Sequence, residues 1–361
     1  MDLENFELLA ELMEATGPSG HENDVQAIVH RELREIADEI TVDPIGNLVG
    51  TVHGERDCSV GIVAHADEWG WMVSGITDGG FLELTTIGGT NPMTPVSQRV
   101  SVRTDDGILE GVVGTIPPHK LTDEHLDLRP DDGAKFYKAN DVHVDLGLPR
   151  ADVERTVSVG DVVTLRQETS VIGNLVSGKA IDDRGLLFAM LEAARRVEQP
   201  APTVHLVSST QEEFGDDHHL RGATAIASEL DVDVWIALDI TAADDQPFFE
   251  GDPAFTLGGG AGIKLMDRIT IPSPLVNRRL RELADREGIP YQLEVTDHVT
   301  TDAGALQNVD GGKPTGAILL PARNAHSTTE MAHVEDVEAV IDLLATFVRE
   351  ETGREYVPSF G

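Results

Sequence analysis

Four apolar segments of this 361-residue sequence each lead into a residue that can bind a metal ion or move a proton. These segments and the residues that follow them are 60–64 with His65, 204–208 with Glu212 and Glu213, 234–238 with Asp239, and 317–320 with His326. In open α/β sheets, ligands bind beyond the carboxyl ends of the strands. If the four segments are strands of one sheet, the side chains that follow them form one site.

Asp182 is a further candidate, because it stands directly before a predicted helix at 183–197. Each position also has an ordinary alternative: Asp182 could cap that helix, and Asp239 could end a strand in an Asx turn. The adjacent glutamates at 212 and 213 could be a solvated pair, and either histidine could be a satisfied core or surface residue. A shared site accounts for all five chain positions together, so we favour it.

Two histidines with several carboxylates form a nitrogen and oxygen donor set that suits two divalent metal ions. Two ions bridged by one carboxylate activate a water molecule and stabilise an oxyanion. A further carboxylate must accept the proton of that water. In the pair Glu212-Glu213, one side chain can bind metal while the other acts as this base. Asp67 could accept the second ring N–H of His65 and fix its tautomer.

The charge of the chain limits its partners. Asp and Glu number 64 against 27 Lys and Arg, a net charge of −37, which disfavours nucleic acid and anionic membranes as partners. The excess is spread along the chain, which favours a surface suited to high salt and a halophilic, archaeal source. No apolar run approaches ~18 residues and no secretory signal is recognised, so we expect a cytoplasmic protein. The single Cys58 is expected to be a buried, inert thiol.

The predicted elements that position the candidate site residues are of two kinds. Helical periodicity predicts helices at 6–15, 22–37, 183–197, 274–287 and 334–350, and strands alternate with helices in the second half. Between them, short β-branched segments separated by Gly, Pro and Asp predict strands at 81–86, 99–103, 108–115, 142–146 and 162–166. We therefore predict an α/β domain of residues 1–70 plus 171–361, interrupted by a small β-rich domain of residues 71–170.

Taken together, the motifs resemble those of the M42 peptidases, the glutamyl-aminopeptidase-like enzymes that include the tetrahedral TET particles. The resemblance runs nearly from end to end. It rests on Gly17–Gly20 with Glu22, His65–Glu68 with Gly70, Gly114–His119, Gly178–Gly185, Gln211–Glu213, Arg221–Ala223, Ala237–Asp239, Thr301–Ala303 and Arg323–Ser327.

The resemblance implies the roles of individual residues in hydrolysis of N-terminal residues from peptides. His65, Asp182 and Asp239 would hold one metal ion, and Asp182, Glu213 and His326 the other, with Zn or Co expected and Mn possible. Glu212 would be the general base and acid. We predict Asp67 as the second catalytic residue, through its contact with the ring of His65. It also implies a mixed-sheet domain of the dinuclear-zinc exopeptidase type, a β-barrel-like insertion, a cis peptide bond at Asp182-Asp183, and dimers that build a homododecamer.

Some positions depart from the family pattern, and other functions stay open. Residues Asp216–His219 are an insertion before Leu220, and Asn324-Ala325 replace the usual aromatic residue before His326. The loop Gly258–Gly262 could line the substrate pocket or be a plain turn. One alternative is an M20-like dinuclear hydrolase, a deacylase or carboxypeptidase, whose accessory domain normally comes later in the chain. Another is a non-catalytic assembly protein.

Overall fold

The computed structural model describes residues 4–89, 93–116, 118–120, 126–128, 135–137, 142–214, 220–249, 253–309, 311–351, 353 and 356–357. Its helices are α1 Phe6–Glu14, α2 Asn23–Ile36, α3 Arg150–Thr156, α4 Ile181–Arg195, α5 Arg221–Glu229, α6 Pro274–Glu287, α7 Ala303–Leu306 and α8 Val334–Glu350, with a 3-10 turn at Pro118–Lys120. The five helices predicted from periodicity are confirmed, with ends that shift by a few residues. No helix within these ranges is long and apolar enough to cross a membrane.

The strands follow the predicted pattern. They are β1 Glu39–Val42, β2 Leu48–Val52, β3 Ser59–His65, β4 Gly70–Ile76, β5 Leu82–Ile87, β6 Arg99–Thr104, β7 Gly107–Val113, β8 Leu126–Leu128, β9 Lys135–Tyr137, β10 His143–Asp145, β11 Val162–Leu165, β12 Ser170–Ile172, β13 Leu175–Gly178, β14 Thr203–Ser209, β15 Val234–Ala242, β16 Ala261–Met266, β17 Tyr291–Val295, β18 Thr315–Arg323 and β19 Glu330–His333. The four apolar segments that lead to the candidate site correspond to β3, β14, β15 and β18.

One large mixed sheet holds these four strands at its centre. Its order is β1-β2-β14-β3-β15-β18-β19-β13-β12, with β16 and then β17 branching beside β18. The central strands β14, β3, β15 and β18 are mutually parallel, so their carboxyl ends meet at one edge. This edge is where side chains from separate chain positions can converge.

Both faces of the central sheet are covered, which explains why its strands are almost continuously apolar. On β3, Ile62 belongs to a core shared with α1, α2, α4, α6 and α8, whereas Val63 packs with residues of α5 and α7. On α2, Val25, Val29 and Leu33 recur at helical spacing, and none is exposed. The helices therefore pack on both faces of the sheet and keep the edge formed by its carboxyl ends in place.

A closed barrel of six strands, ordered β10-β5-β4-β11-β6-β7, interrupts the α/β part between Gly70 and Leu165. It has its own core, in which Trp69 and Trp71 meet edge to face with ring centroids 5.0 Å apart. The predicted fold class, a mixed α/β sheet interrupted by a small β-barrel, is confirmed. The exact division into 1–70 plus 171–361 and 71–170 stays a proposal about folding units.

Three local predictions also have an outcome. The Asp182-Asp183 peptide bond is cis, as expected. α4 begins at Ile181 rather than Asp183, although Asp182 and Asp183 themselves have non-helical backbone angles. Cys58 is buried, and burial raises the pKa of its thiol, in agreement with an unreactive side chain.

Candidate metal centre

The predicted site residues lie together at the carboxyl edge of the central sheet. His65 is the last residue of β3, Asp239 lies within β15, and Asp182 is the second residue of α4. The pair Glu212-Glu213 follows β14, and His326 follows β18. Because these residues lie on, or shortly after, five separate elements, no short motif contains the whole site.

One group of possible ligands surrounds His65. The ligand atoms of His65, Asp182, Asp183 and Asp239 all lie within 4.8 Å of one another, and all four residues are buried. His65 Nε2 is 3.1 Å from Asp182 Oδ1. His65 Nδ1 lies 3.1 Å from the backbone oxygen of Asp67, which can only accept a hydrogen bond. The proton therefore sits on Nδ1, and Nε2 is free to bind a metal ion.

A second group surrounds His326. Its Nε2 lies 3.3 Å from Asp182 Oδ2 and 3.4 Å from Glu213 Oε1. Its Nδ1 donates to the backbone oxygen of Gly89 at 2.6 Å, so this histidine also presents Nε2 to the site. The two carboxylate oxygens of Asp182 thus face two different imidazole nitrogens, which is the arrangement of a bridging ligand.

The donor set fits divalent cations. Neutral imidazole nitrogens facing carboxylate oxygens at 3.1–3.3 Å repel them unless a proton or a cation intervenes. Within the described chain, Glu213 Oε1 is buried and has no hydrogen-bond donor. A metal ion accommodates both features, because it accepts electron pairs from nitrogen and from anionic oxygen.

The pKa shifts of the site residues reflect the same close approach of buried carboxylates and imidazoles. Burial raises the pKa of Glu212 and Asp239 well above their usual values, and that of Glu213 to about 7. The charge of Glu213 raises the pKa of His326 to about 11. Burial alone would lower the pKa of His65, but its hydrogen bonds to Asp182 and Asp67 raise it well above the usual value. Bound cations would favour the ionised carboxylates and the neutral imidazoles.

Several site residues are held through their backbone amides by buried carboxylates. Asp67 accepts from the amides of Glu212 and Glu213, each at 3.0 Å. The carboxylate of Asp67 therefore contacts the backbone of Glu212 and Glu213. The shortest contact between Asp67 and the ring of His65 is made by the backbone oxygen of Asp67. Asp183 accepts from the amide of His65 at 3.0 Å.

Glu330 and Asp302 are parts of the site that the sequence did not single out. Glu330 accepts from the amide of Asp182 at 3.1 Å and from that of His326 at 2.9 Å. Asp302 accepts from Ser209 Oγ at 2.8 Å, and its other carboxylate oxygen is buried with no donor among the described residues. The triplet Thr301–Ala303 contributed to the resemblance and could have pointed to Asp302. Glu330 is the first residue of the short strand β19, and no sequence motif singles it out.

A cavity of about 300 Å³ opens onto the carboxylates and His326. Its other walls include Leu220, Ile240, Thr241, His298, Val299, Thr300 and Ala325. The Gly258–Gly262 loop is not among the residues that line this cavity. The amides of Gly258 and Gly260 donate to Asp336, each at 2.7 Å. Residues Asp216–His219 lie outside the described residues.

Known proteins are similar to this chain in sequence and in fold. The family model described as M42 glutamyl aminopeptidase matches residues 46–343. A putative aminopeptidase of Acetivibrio thermocellus is 33% identical over 94% of this chain and 97% of that protein. The chain therefore belongs to the M42 family of aminopeptidases, and it is a hydrolase of that class.

Two solved structures agree with this assignment. An aminopeptidase from the archaeon Desulfurococcus kamchatkensis superimposes with a TM-score of 0.89 at 33% identity, covering 96% of this chain and 95% of that chain. The TET1 peptidase of Pyrococcus horikoshii has a TM-score of 0.83 at 28% identity over 96% of this chain and 99% of its own. That peptidase is described as assembling into a tetrahedron or a large octahedral shell.

Proposed function

We propose that this chain is a two-metal aminopeptidase that removes N-terminal residues from peptides. The observation that carries the proposal is the position of Asp182, whose Oδ1 faces His65 Nε2 and whose Oδ2 faces His326 Nε2. His65, Asp182 and Asp239 would hold one ion, and Asp182, Glu213 and His326 the other. Zn or Co is expected, with Mn possible, because the donors are nitrogen and oxygen without thiolate.

The protein groups around the two ions have separate tasks. When bound, the ions supply an activated water and positive charge for the oxyanion. Glu212 lines the cavity beside the ligands and accepts the proton of the attacking water, which it then delivers to the leaving amine. Asp67 is not a proton carrier in this scheme, because its carboxylate is occupied by the amides of Glu212 and Glu213. It orients the base.

Replacing Glu212 by Gln tests the base role. We expect Glu212→Gln to lower kcat by roughly 10²–10⁴-fold, because the amide cannot accept the proton. The metal content should not change, since the proposed ligands remain. Activity is measured with aminoacyl chromogenic substrates at high salt, and metal content by elemental analysis. Glu229→Gln, at an exposed position of α5, is the matched control. Wild-type kcat in Glu212→Gln would remove Glu212 from the base role.

Chelation and substrate choice separate this function from the alternatives. Loss of activity on chelation and recovery with Co²⁺ or Zn²⁺ distinguishes a metallopeptidase from a metal-independent hydrolase. The barrel between His65 and Asp182 and the complete set of proposed ligands argue against the M20-like alternative and a non-catalytic assembly protein. Hydrolysis of N-acyl amino acids in place of free-amine peptides would overturn the aminopeptidase proposal.

We also propose that the chain self-associates, with dimers building a homododecamer as the resemblance implies. The assembly described for the TET1 relative supports this proposal. Light scattering at high salt measures the particle mass against the 38.9 kDa of one chain. A monomer under all salt conditions would contradict the proposal.

A further inference from the structure

Two buried carboxylates hold three consecutive backbone amides at the proposed base. Glu22 Oε1 accepts from the amide of Gln211 at 3.1 Å. The two oxygens of Asp67 accept from the next two amides, those of Glu212 and Glu213. Gln211 has a φ of 56°, a left-handed conformation that a non-glycine residue adopts only when its surroundings hold it there. The conformation of this loop decides where the side chain of Glu212 points.

Glu22 is placed for this contact rather than for helix capping. It stands at the N-cap of α2, yet its side chain makes no capping hydrogen bond. The same Oε1 atom instead accepts from Gly20 N at 2.7 Å and reaches across to Gln211. Its side chain is 5% exposed, and burial together with the charge of Asp67 raises its pKa to about 7. Burying one acid next to a second acid costs free energy of folding. We therefore attribute the contact between Glu22 and the loop to function rather than to stability.

Ser19 makes the corresponding contact to the second carboxylate. Its hydroxyl donates to Asp67 Oδ2 at 2.6 Å, and the residue is 8% exposed. Ser19 lies in the Gly17–Gly20 turn that leads directly to Glu22. One short N-terminal segment therefore supports both carboxylates that hold the Gln211–Glu213 backbone.

We propose that Glu22 and Ser19 are positioning residues that hold Glu212 in its proton-accepting orientation, Glu22 through the amide of Gln211 and Ser19 through Asp67. This inference rests on the proposed base role of Glu212. Neither residue belongs to the two groups of possible metal ligands. Glu22 holds the amide of Gln211, which is not a proposed ligand, so its loss should affect the chemical step and leave metal binding and substrate affinity in place.

The first test compares two substitutions at position 22. We expect Glu22→Ala to lower kcat by about 10-fold or more with KM changed less than about twofold, since a misplaced base slows the chemical step. Glu22→Gln should restore kcat, because a single amide oxygen can accept both hydrogen bonds that Oε1 accepts now. Metal content and melting temperature are measured alongside. The control is Glu35→Ala, at an exposed position of the same helix.

A second substitution decides the matter if Glu22→Ala does not fold. Ser19→Ala removes one hydroxyl, and we expect a several-fold lower kcat. Because Asp67 Oδ2 accepts both from Ser19 and from the amide of the proposed ligand Glu213, kcat is compared at saturating metal. Unchanged kcat in Ser19→Ala and in any folded Glu22→Ala would overturn the inference while the wild type still cleaves aminoacyl substrates. A rise in KM or a fall in metal content without a fall in kcat would also overturn it. If the wild type itself cleaves none of these substrates, the proposed function fails first.

Discussion

At the scale of single residues, the site is built from carboxylates with two different tasks. Some, such as Asp182 and Glu213, direct oxygens toward imidazole nitrogens. Others, such as Glu330 and Asp67, direct oxygens toward backbone amides of their neighbours. Accepting two or three hydrogen bonds stabilises a carboxylate in its ionised form, which partly offsets burial. The acids that hold amides also determine where the acids that face the cavity lie.

Glu330 gives the sharpest prediction at this scale. Its two oxygens accept from two different amides, those of Asp182 and His326, whereas Glu22 uses one oxygen for both of its contacts. In Glu330→Gln, an amide N–H must face one of these donors. We expect the affinity for metal to fall about 10–100-fold, as for other partners of metal ligands. Titration of the metal-free protein with Zn²⁺ measures this.

The control for Glu330 is Glu335→Gln, at an exposed position near the start of α8. It changes the charge by the same amount and should leave metal affinity unchanged. Equal affinities in Glu330→Gln and in the wild type would show that the amide contacts do not position the proposed ligands.

At the scale of elements, the connection from β14 to α5 carries the pair of glutamates, and its described residues at the two ends are tightly packed. Asn47, before β2, accepts from Thr210 N at 2.9 Å and donates to Gly222 O at 2.9 Å. It thereby ties the end of β14 to the start of α5. Asn47 is fully buried, so losing either contact would leave a buried polar group without a partner.

Gly222 is the position where this packing can be tested. A Cβ atom there would lie 2.3 Å from Thr210 O and 2.6 Å from Asn47 Oδ1. Because the nearest atom is backbone, the loop before Gln211 would have to move. We expect Gly222→Ala to lower both the melting temperature and kcat, with a loss of about 1–3 kcal/mol in the free energy of unfolding.

The matched substitution is Gly114→Ala in the barrel region, where the nearest atom to an added Cβ is a carbonyl oxygen at an ordinary 3.6 Å. It should be close to neutral in thermal and denaturant unfolding. If Gly222→Ala behaves like Gly114→Ala, the β14–α5 connection is less tightly constrained than its contacts indicate.

At the scale of the whole molecule, the net charge of −37 is the dominant feature. Like charges repel across the surface at low ionic strength, and the screening length falls from ~10 Å at 0.1 M salt to ~3 Å at 1 M. This repulsion opposes both the folded state and the association of subunits. A halophilic source would fit this charge, and together with the cytoplasmic location it stays a prediction from the sequence.

The charge predicts a stability that depends on salt. We expect the melting temperature to rise by several degrees between 0.1 M and 2 M KCl, because screening removes repulsion among the acidic side chains. Differential scanning calorimetry of the metal-loaded protein measures this. A choline chloride series at equal ionic strength should give a similar rise if screening is the cause. A flat profile in KCl would contradict the prediction.

The sequence alone predicted much of the fold because apolar periodicity is a local property. The four segments that became β3, β14, β15 and β18 were recognised from their apolar composition, and the β-rich insertion from its short β-branched segments. Its barrel-like form was implied by the family resemblance. The grouping of the side chains that come after these strands could also be predicted, because the carboxyl ends of parallel strands lie at one edge of the sheet. The particular roles of Asp182, Glu213 and His326 came from family resemblance and stay proposals.

Only the tertiary structure revealed which groups hold these side chains in place. Glu330 contacts Asp182 across 148 residues of sequence, and Glu22 contacts Gln211 across 189. Such contacts depend on how helices and strands pack in three dimensions, and no local pattern encodes a hydrogen bond between a buried carboxylate and a distant backbone amide. The sequence therefore determined which residues could carry the chemistry, while the packing of α2, β14 and β19 around the edge of the sheet decided how they are oriented.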